Sequence, residues 1–237
     1  MYFLIDNKNN VIFGWSAKAG CTHIVMLFEF LTDRKDKQTQ DSFLKNSSLL
    51  HTIDNLNSLP VNISKYTIIL FIRNPYERLI SCFLDKFKSN GDLYNRLWDK
   101  NIPLTFTNFV NYIIHQNSDS IDQHIGPQLS KRWENRVLCH DKLFIYDIKS
   151  INYYHLENIY NKKIPEYIIH FRGGHENKKQ KINYPDGIYN VSLNEYQYNN
   201  TIPLTRNFFN NDIRDKVKNY FKNDFHLFHK FGLDCEI

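Results

Sequence analysis

Apolar residues fall in blocks along the 237-residue chain, and the spacing within each block shifts between strand-like and helical. Tyr2 to Ile5 and Val11 to Trp15 are apolar runs separated by Asp6-Asn-Lys-Asn-Asn10, a stretch of turn formers that predicts a hairpin or tight strand connection. From Thr22 to Leu31 the positions Ile24, Val25, Leu27, Phe28 and Leu31 recur at helical spacing, and the polar stretch from Thr32 to Ser48 reads as a surface excursion. Tyr66 to Ile72 is nearly continuous in apolar residues, as expected of a parallel strand covered on both faces. Pro75 then suits the first turn of a helix whose apolar face is Leu79, Ile80, Phe83, Leu84 and Phe87. Phe106 to Ile114 predicts an amphipathic helix, Leu143 to Tyr146 a further buried strand, and Ile148 onward the helix after it. Gly173-Gly174 through Asp186 reads as a loop, and Asp212 to Phe231 as a long C-terminal helix. Strands alternating with helices predict an α/β fold with a central, mainly parallel sheet flanked by helices. No repeat or boundary interrupts the pattern, so residues 1–237 are expected to form a single domain.

Composition narrows the class. A chain 42% hydrophobic and 15% aromatic can bury a substantial core. The formal charge of +5 is spread without a Lys/Arg block, which favours anionic small molecules or acidic glycans over nucleic acid. Cys21, Cys82, Cys139 and Cys235 are far apart with no CxxC pair, so reduced thiols are expected rather than a zinc ribbon or a disulfide scaffold. No signal-like start and no apolar run approaching about 18 residues is seen, so a soluble, unanchored, cytoplasmic protein is expected.

Two short segments carry the chemistry. Ser16-Ala-Lys18-Ala-Gly20-Cys-Thr22 and Arg73-Asn-Pro75-Tyr-Glu-Arg78-Leu-Ile-Ser81 each follow an apolar strand and open a helical pattern. The exposed amides and dipole of a helix N-terminus favour an anion there, and Lys18 and Arg73 add full charges. Two such sites imply a ligand with two anionic ends. The first segment does not fit GxxxxGK[ST]: Lys18 precedes Gly20, Cys21 takes the usual lysine slot, and Thr22 follows, able to cap the helix and bond a phosphate oxygen. Arg73 offers a planar donor fork to a terminal phosphate, and Ser81, two turns along the same predicted helix, adds a hydroxyl.

Taken together, the KxGxT-type and RxPxxRxxS-type segments resemble those of the P-loop-like sulfotransferases, particularly the Golgi-type carbohydrate sulfotransferases. Asp122-Gln-His124-Ile-Gly-Pro127-Gln128 is similar to that family's HWxPQ-like stretch, and Asp224-Phe225-His-Leu-Phe228 to its DFxLF signature. The chain departs from the family pattern at Ala17, His23 and Ile125, where Pro, a small or polar residue and Trp are usual. The resemblance implies a P-loop-NTPase-like three-layer fold and transfer of a sulfuryl group from 3′-phosphoadenosine 5′-phosphosulfate (PAPS) to a hydroxyl, with a glycan as acceptor. It implies that Lys18, Ala19, Gly20, Cys21 and Thr22 hold the 5′-phosphosulfate and that Arg73 and Ser81 hold the 3′-phosphate.

Sulfuryl transfer needs in-line positioning and neutralisation of charge on the departing bridging oxygen. Lys18 is the candidate for that oxygen, and Gly20 permits close backbone approach. The acceptor hydroxyl must lose a proton, and a histidine, with an ordinary pKa near 6.5, suits that base. His124 is the first candidate and His175 the second, unless the loop that carries His175 instead closes over the nucleotide; Asn177 and Lys178, beside His175, are further donor-binding candidates. No carboxylate cluster calls for a metal, and His140 beside Cys139 lacks spaced partners. Plainer readings exist: Arg73 and Arg78 pairing with Glu77 or another carboxylate, Lys178, Lys179 and Lys181 as a solvated face, and Tyr153-Tyr154 and the aromatics from Phe225 to Phe231 as core. The alternative functions are a P-loop-type nucleotide kinase and a catalytically inactive sulfotransferase-like nucleotide-binding protein.

Overall fold

In the computed structural model, residues 1–33, 50–52, 62–87, 91–117, 121–128, 137–171, 180–184, 186–193 and 201–237 are described; the stretch from Asp33's successor to Ser48 and the Gly173-Gly174 loop lie outside them. The chain divides into two compact units, each built from two stretches: residues 1–73 with 128–176, and residues 74–127 with 177–237.

The first unit holds the sheet. β1 (Tyr2–Asp6) and β2 (Val11–Trp15) form the expected hairpin, paired antiparallel from Tyr2 with Trp15 to Asp6 with Val11. Asp6 makes the turn: its carboxylate accepts from the backbone N–H groups of Lys8 and Asn9 and from the Asn9 side chain. β3 (Leu50–Thr52), β4 (Thr67–Ile72) and β5 (Leu143–Asp147) complete the order β3-β1-β2-β4-β5. β2, β4 and β5 are parallel, and β3 is antiparallel to β1, so β1 alone runs against the other four.

Both faces of β2 and β4 are buried, which is why their sequences read as unbroken apolar runs. On one face Leu4, Val11, Phe13, Trp15, Ile69 and Phe71 pack with Ile24, Leu27 and Phe28 of α1 (Cys21–Leu31). Leu156 of α5 (Tyr153–Tyr160) and Ile168 of α6 (Glu166–Ile169) join that core. Phe13 anchors it, with its ring edge-on to Phe28 at 5.4 Å and Phe71 at 5.2 Å. Burying β4 alone removes enough side-chain surface to favour folding by several kcal/mol, at roughly 1.5–3 kcal/mol per large apolar side chain.

Two expectations change in this unit. β5 pairs only with β4 among the described strands and is half-covered, with Phe144 exposed. The helix expected from Ile148 starts at Tyr153 instead. Asp147 accepts from the Lys149 N–H at 2.8 Å and the Ser150 N–H bonds the Asp147 carbonyl, which holds a turn until Asn152 caps α5 through the His155 N–H. Tyr154, expected in the core, is 71% exposed on that helix.

The second unit is mostly helical: α2 (Pro75–Lys86), α3 (Asp92–Leu97), α4 (Phe106–Ile114), α7 (Asn211–Tyr220) and α8 (Lys222–Lys230), with a parallel pair β6 (Gln180–Ile182) and β7 (Thr201–Pro203). Its core is aromatic. Phe83 of α2 meets Phe106 and Phe109 of α4 and Phe208, while Tyr76 lies between Phe209 and Phe225. β6 corrects the reading of Gly173 through Asp186 as wholly loop, since its ladder partner is distant in sequence. The C-terminal helix is two helices, broken where buried Phe221 leaves helical geometry at φ −96° and ψ 25°. Asp224, Phe225, Leu227 and Phe228 are all buried on α8, so Phe225 and Phe228 are core as expected, while Phe231 just beyond the helix is only half-buried. No helix among the described residues is long and apolar enough to cross a membrane.

Candidate functional site

The site is built from strand ends. In the first unit, β2 and β4 lie side by side, with Trp15 opposite Phe71, so the loops leaving their carboxyl ends emerge as neighbours. After β2 the chain turns back through a bond from the Ala19 N–H to the Ser16 carbonyl at 3.1 Å. Lys18 and Gly20 both take left-handed backbone conformations, at φ 67° and 78°. For lysine that geometry is unfavourable and must be held by its surroundings. Gly20 is the residue before α1, and the first N–H groups of a helix have no partner within it, so the loop presents donors where Lys18 adds a cation.

Gly20 is fixed for a second reason. A Cβ placed on it would lie 2.6 Å from Ile148 at the exit of β5, so the loop is pressed against the next strand crossover. Thr22 does not cap α1 as expected: Gly20 occupies the cap without a side-chain bond, and Thr22 is already the second helical residue. The Cys21 sulfur accepts a hydrogen bond from the Trp15 indole N–H at 3.0 Å. Burial pushes its thiol up, against the opposing pull of Trp15 and Lys18, so Cys21 is a protonated structural thiol at neutral pH. No disulfide joins any two of the four cysteines in the structure.

Arg73, one residue beyond β4, donates from Nη1 to the Lys18 carbonyl at 3.2 Å. Arg73 and the Lys18 loop thus meet within the first unit. Gln128 joins them further: its Oε1 accepts from the Ser16 hydroxyl and from the Arg73 N–H, each at 2.9 Å, and its Nε2 donates to the Arg73 carbonyl at 2.8 Å.

In the second unit, α2 begins under local control. Asn74 accepts from the Tyr76 and Glu77 N–H groups, Pro75 needs no donor at the first helical position, and the Asn74 amide also donates to the Glu236 carbonyl. Ser81 lies half-buried two turns along this helix. Arg78 reaches backbone carbonyls of the His124 segment. Only 1% exposed, it donates to the Gly126 carbonyl at 2.8 Å and the Gln123 carbonyl at 2.7 Å, pinning the segment that carries His124.

His124 is itself oriented. Its Nδ1 lies 2.7 Å from Oδ1 of Asp122, which also accepts from the His124 backbone N–H at 2.9 Å. A carboxylate only accepts, so Nδ1 carries the proton and, in the neutral ring, Nε2 keeps its lone pair. Burial works to raise the Asp122 carboxyl, but the hydrogen bonds and charge of His124, together with Arg96 at 3.4 Å, outweigh it and hold it at about 2. The dyad therefore stays ionised on the carboxylate side at every working pH.

Lys18, Ala19, Gly20, Cys21, Thr22 and Arg73 thus belong to the first unit, and Ser81 and His124 to the second, while Asn177, Lys178 and His175 lie outside the described residues. Sequence reading passed over Gln128, Asp122 and Arg78 as working residues. The PQ pair and the Asp two residues before His124 were visible, but only packing shows what they bond. Among the described residues no group of three or more His, Cys, Asp or Glu side chains is arranged to hold a metal ion.

Comparison with known proteins adds an independent line. A family model described as "Sulfotransferase family" matches residues 1–231. Carbohydrate sulfotransferase 12 of Xenopus laevis is 27% identical over 126 residues, covering 45% of this chain and 30% of that protein. Carbohydrate sulfotransferase 8 of Homo sapiens is 28% identical over 166 residues, covering 60% and 37% respectively. Carbohydrate sulfotransferase 12 of Mus musculus is 21% identical over 187 residues, covering 62% and 43%. The chain spans less than half the length of these relatives. No solved structure gave a significant match.

Proposed function

Because the chain belongs to the sulfotransferase family, we propose that it transfers a sulfuryl group from PAPS to a carbohydrate hydroxyl, in a P-loop-like three-layer fold. The observation that carries this reading is the convergence of the Lys18 loop and Arg73 at the ends of adjacent parallel strands. Two cations on two loops fit a nucleotide with an anion at each end, and the parallel β2, β4 and β5, with α1 following β2, suit the P-loop-like class. The carbohydrate acceptor rests on the names of the relatives.

PAPS supplies an activated sulfuryl group whose sulfur–oxygen bond to the 5′-phosphate breaks in line as the acceptor oxygen attacks. Lys18 neutralises the bridging oxygen that leaves with the nucleotide, and the amides of Ala19 through Thr22 hold the 5′ end. Arg73 binds the 3′-phosphate through its fork, with the Ser81 hydroxyl as a second donor carried over from the resemblance. His124 takes the acceptor proton at Nε2, and Asp122 stabilises the imidazolium that results. Asn177 and Lys178, which lie outside the described residues, are carried over from the sequence as further candidates to hold the nucleotide.

A thermal-shift titration tests the donor. Adenosine 3′,5′-bisphosphate at 100 times its dissociation constant should add about 2.7 kcal/mol of apparent stability, and ATP with magnesium should add little. Stabilisation by ATP alone would favour a kinase and sink the PAPS reading. Loss of Arg73 should weaken the bisphosphate by about one to two orders of magnitude, since a charged hydrogen bond contributes roughly 1.5–3 kcal/mol.

A further inference from the structure

We infer that Gln128 is a positioning residue that locks the two anion-binding loops in register, so that one nucleotide can engage both at once. The inference rests on the donor reading above for what the loops bind, and on the hydrogen bonds of Gln128 for how they are held.

Gln128 is 3% exposed, and a buried side-chain amide must find partners for its carbonyl and its NH₂. Its oxygen receives the Ser16 hydroxyl of the β2–α1 loop and the Arg73 N–H of the β4–α2 connection. Its nitrogen donates to the Arg73 carbonyl. The amide orientation follows from the partners, because the flipped form would set an NH₂ against an N–H. Arg73 is bracketed on both backbone groups as a neighbouring strand would bracket it, just past the last rungs of the β2–β4 and β4–β5 ladders. The side chain extends the sheet's hydrogen bonding by one residue and passes it across to Ser16. The guanidinium of Arg73 reaches the Lys18 carbonyl, so Ser16, Lys18, Arg73 and Gln128 form one linked frame under the two cations.

Such a frame acts selectively. A ligand with one anionic end binds its own loop whatever the other loop does. A ligand with two ends binds only the fraction of molecules whose loops stand at the right separation, and its apparent affinity falls with that fraction. Gln128 therefore governs the two-ended nucleotide far more than either half of it.

The experiment is calorimetric titration of three probes, adenosine 3′,5′-bisphosphate, 5′-AMP and 3′-AMP, into the wild-type chain and its Gln128→Ala and Ser16→Ala variants. Gln128→Ala should weaken the bisphosphate about tenfold, a competent fraction near one in ten, while each monophosphate changes by less than about threefold. Ser16→Ala cuts only the arm to the first loop and leaves a smaller hole, so it keeps the question open to measurement if Gln128→Ala does not fold. It should show the same preference at about threefold. Equal losses for all three probes in a folded variant, or no loss for the bisphosphate, would overturn the coupling role and leave the donor assignment standing. A wild-type chain that binds neither the bisphosphate nor the monophosphates would instead overturn the donor assignment, and the coupling role with it.

Discussion

Gly20 shows how much one residue carries. Its left-handed φ and its 2.6 Å approach to Ile148 each exclude a side chain, and both act on the loop that holds Lys18. Gly20→Ala is expected to cost about 1–2 kcal/mol from backbone strain alone, a fall of about 2–4 °C in Tm per kcal/mol at this chain length. Scanning calorimetry of Gly20→Ala, Ile148→Ala and the double variant should show positive coupling, because trimming Ile148 relieves the contact part of the penalty. At the dyad, His124→Ala should keep bisphosphate binding and lose transfer by about two to four orders of magnitude in single-turnover assays. An active variant would move the base elsewhere. Asp122 adds a pH signature: its carboxyl, at about 2 when folded and near 3.9 when unfolded, contributes stability that is complete above about pH 4 and is lost as pH falls toward 2. The Tm gap between wild type and Asp122→Asn should accordingly close over that acid window.

At the scale of elements, α2 does two jobs from one short sequence. Its start is set locally by Asn74 and Pro75, and its fourth residue, Arg78, reaches out to hold two carbonyls of the His124 segment. The two roles separate by mutation. Asn74→Ala should cost about 1 kcal/mol of stability through the lost cap. Arg78→Met keeps most of the buried stem but leaves the Gln123 and Gly126 carbonyls without this donor, so it should lower Tm further and reduce transfer while bisphosphate affinity holds. Equal effects of the two variants on transfer would show that Arg78 acts only through the helix. Gly20 and Thr22 carry a related lesson: a glycine in the left-handed region displaced the threonine from the cap that its residue type suggested.

For the molecule as a whole, the donor reading predicts a salt dependence. Raising ionic strength from about 0.1 M to about 1 M shortens the screening length from ~10 Å to ~3 Å, so the Tm rise produced by a fixed concentration of adenosine 3′,5′-bisphosphate should shrink markedly. A rise indifferent to salt would argue that the nucleotide is held by its base rather than by its anionic ends.

Within this chain, the sequence by itself determined what depends on neighbours in sequence. The β1–β2 hairpin, β4, α1, α2 and α4 were all legible because period, turn formers and Pro75 act over a few residues. So were the two cationic loops, since a strand end followed by a helix start is a local event. Tertiary structure decided whatever needed a distant partner: the β6–β7 pairing, the partial burial of β5, the break at Phe221 and the anchoring of Arg78. It also decided that Lys18 and Arg73 meet, 55 residues apart in sequence, with Gln128 bonded to both Ser16 and Arg73. Hydrogen bonds of that kind leave no periodic trace, because a side-chain amide is chosen by the groups that surround it in the fold and not by those beside it in the chain.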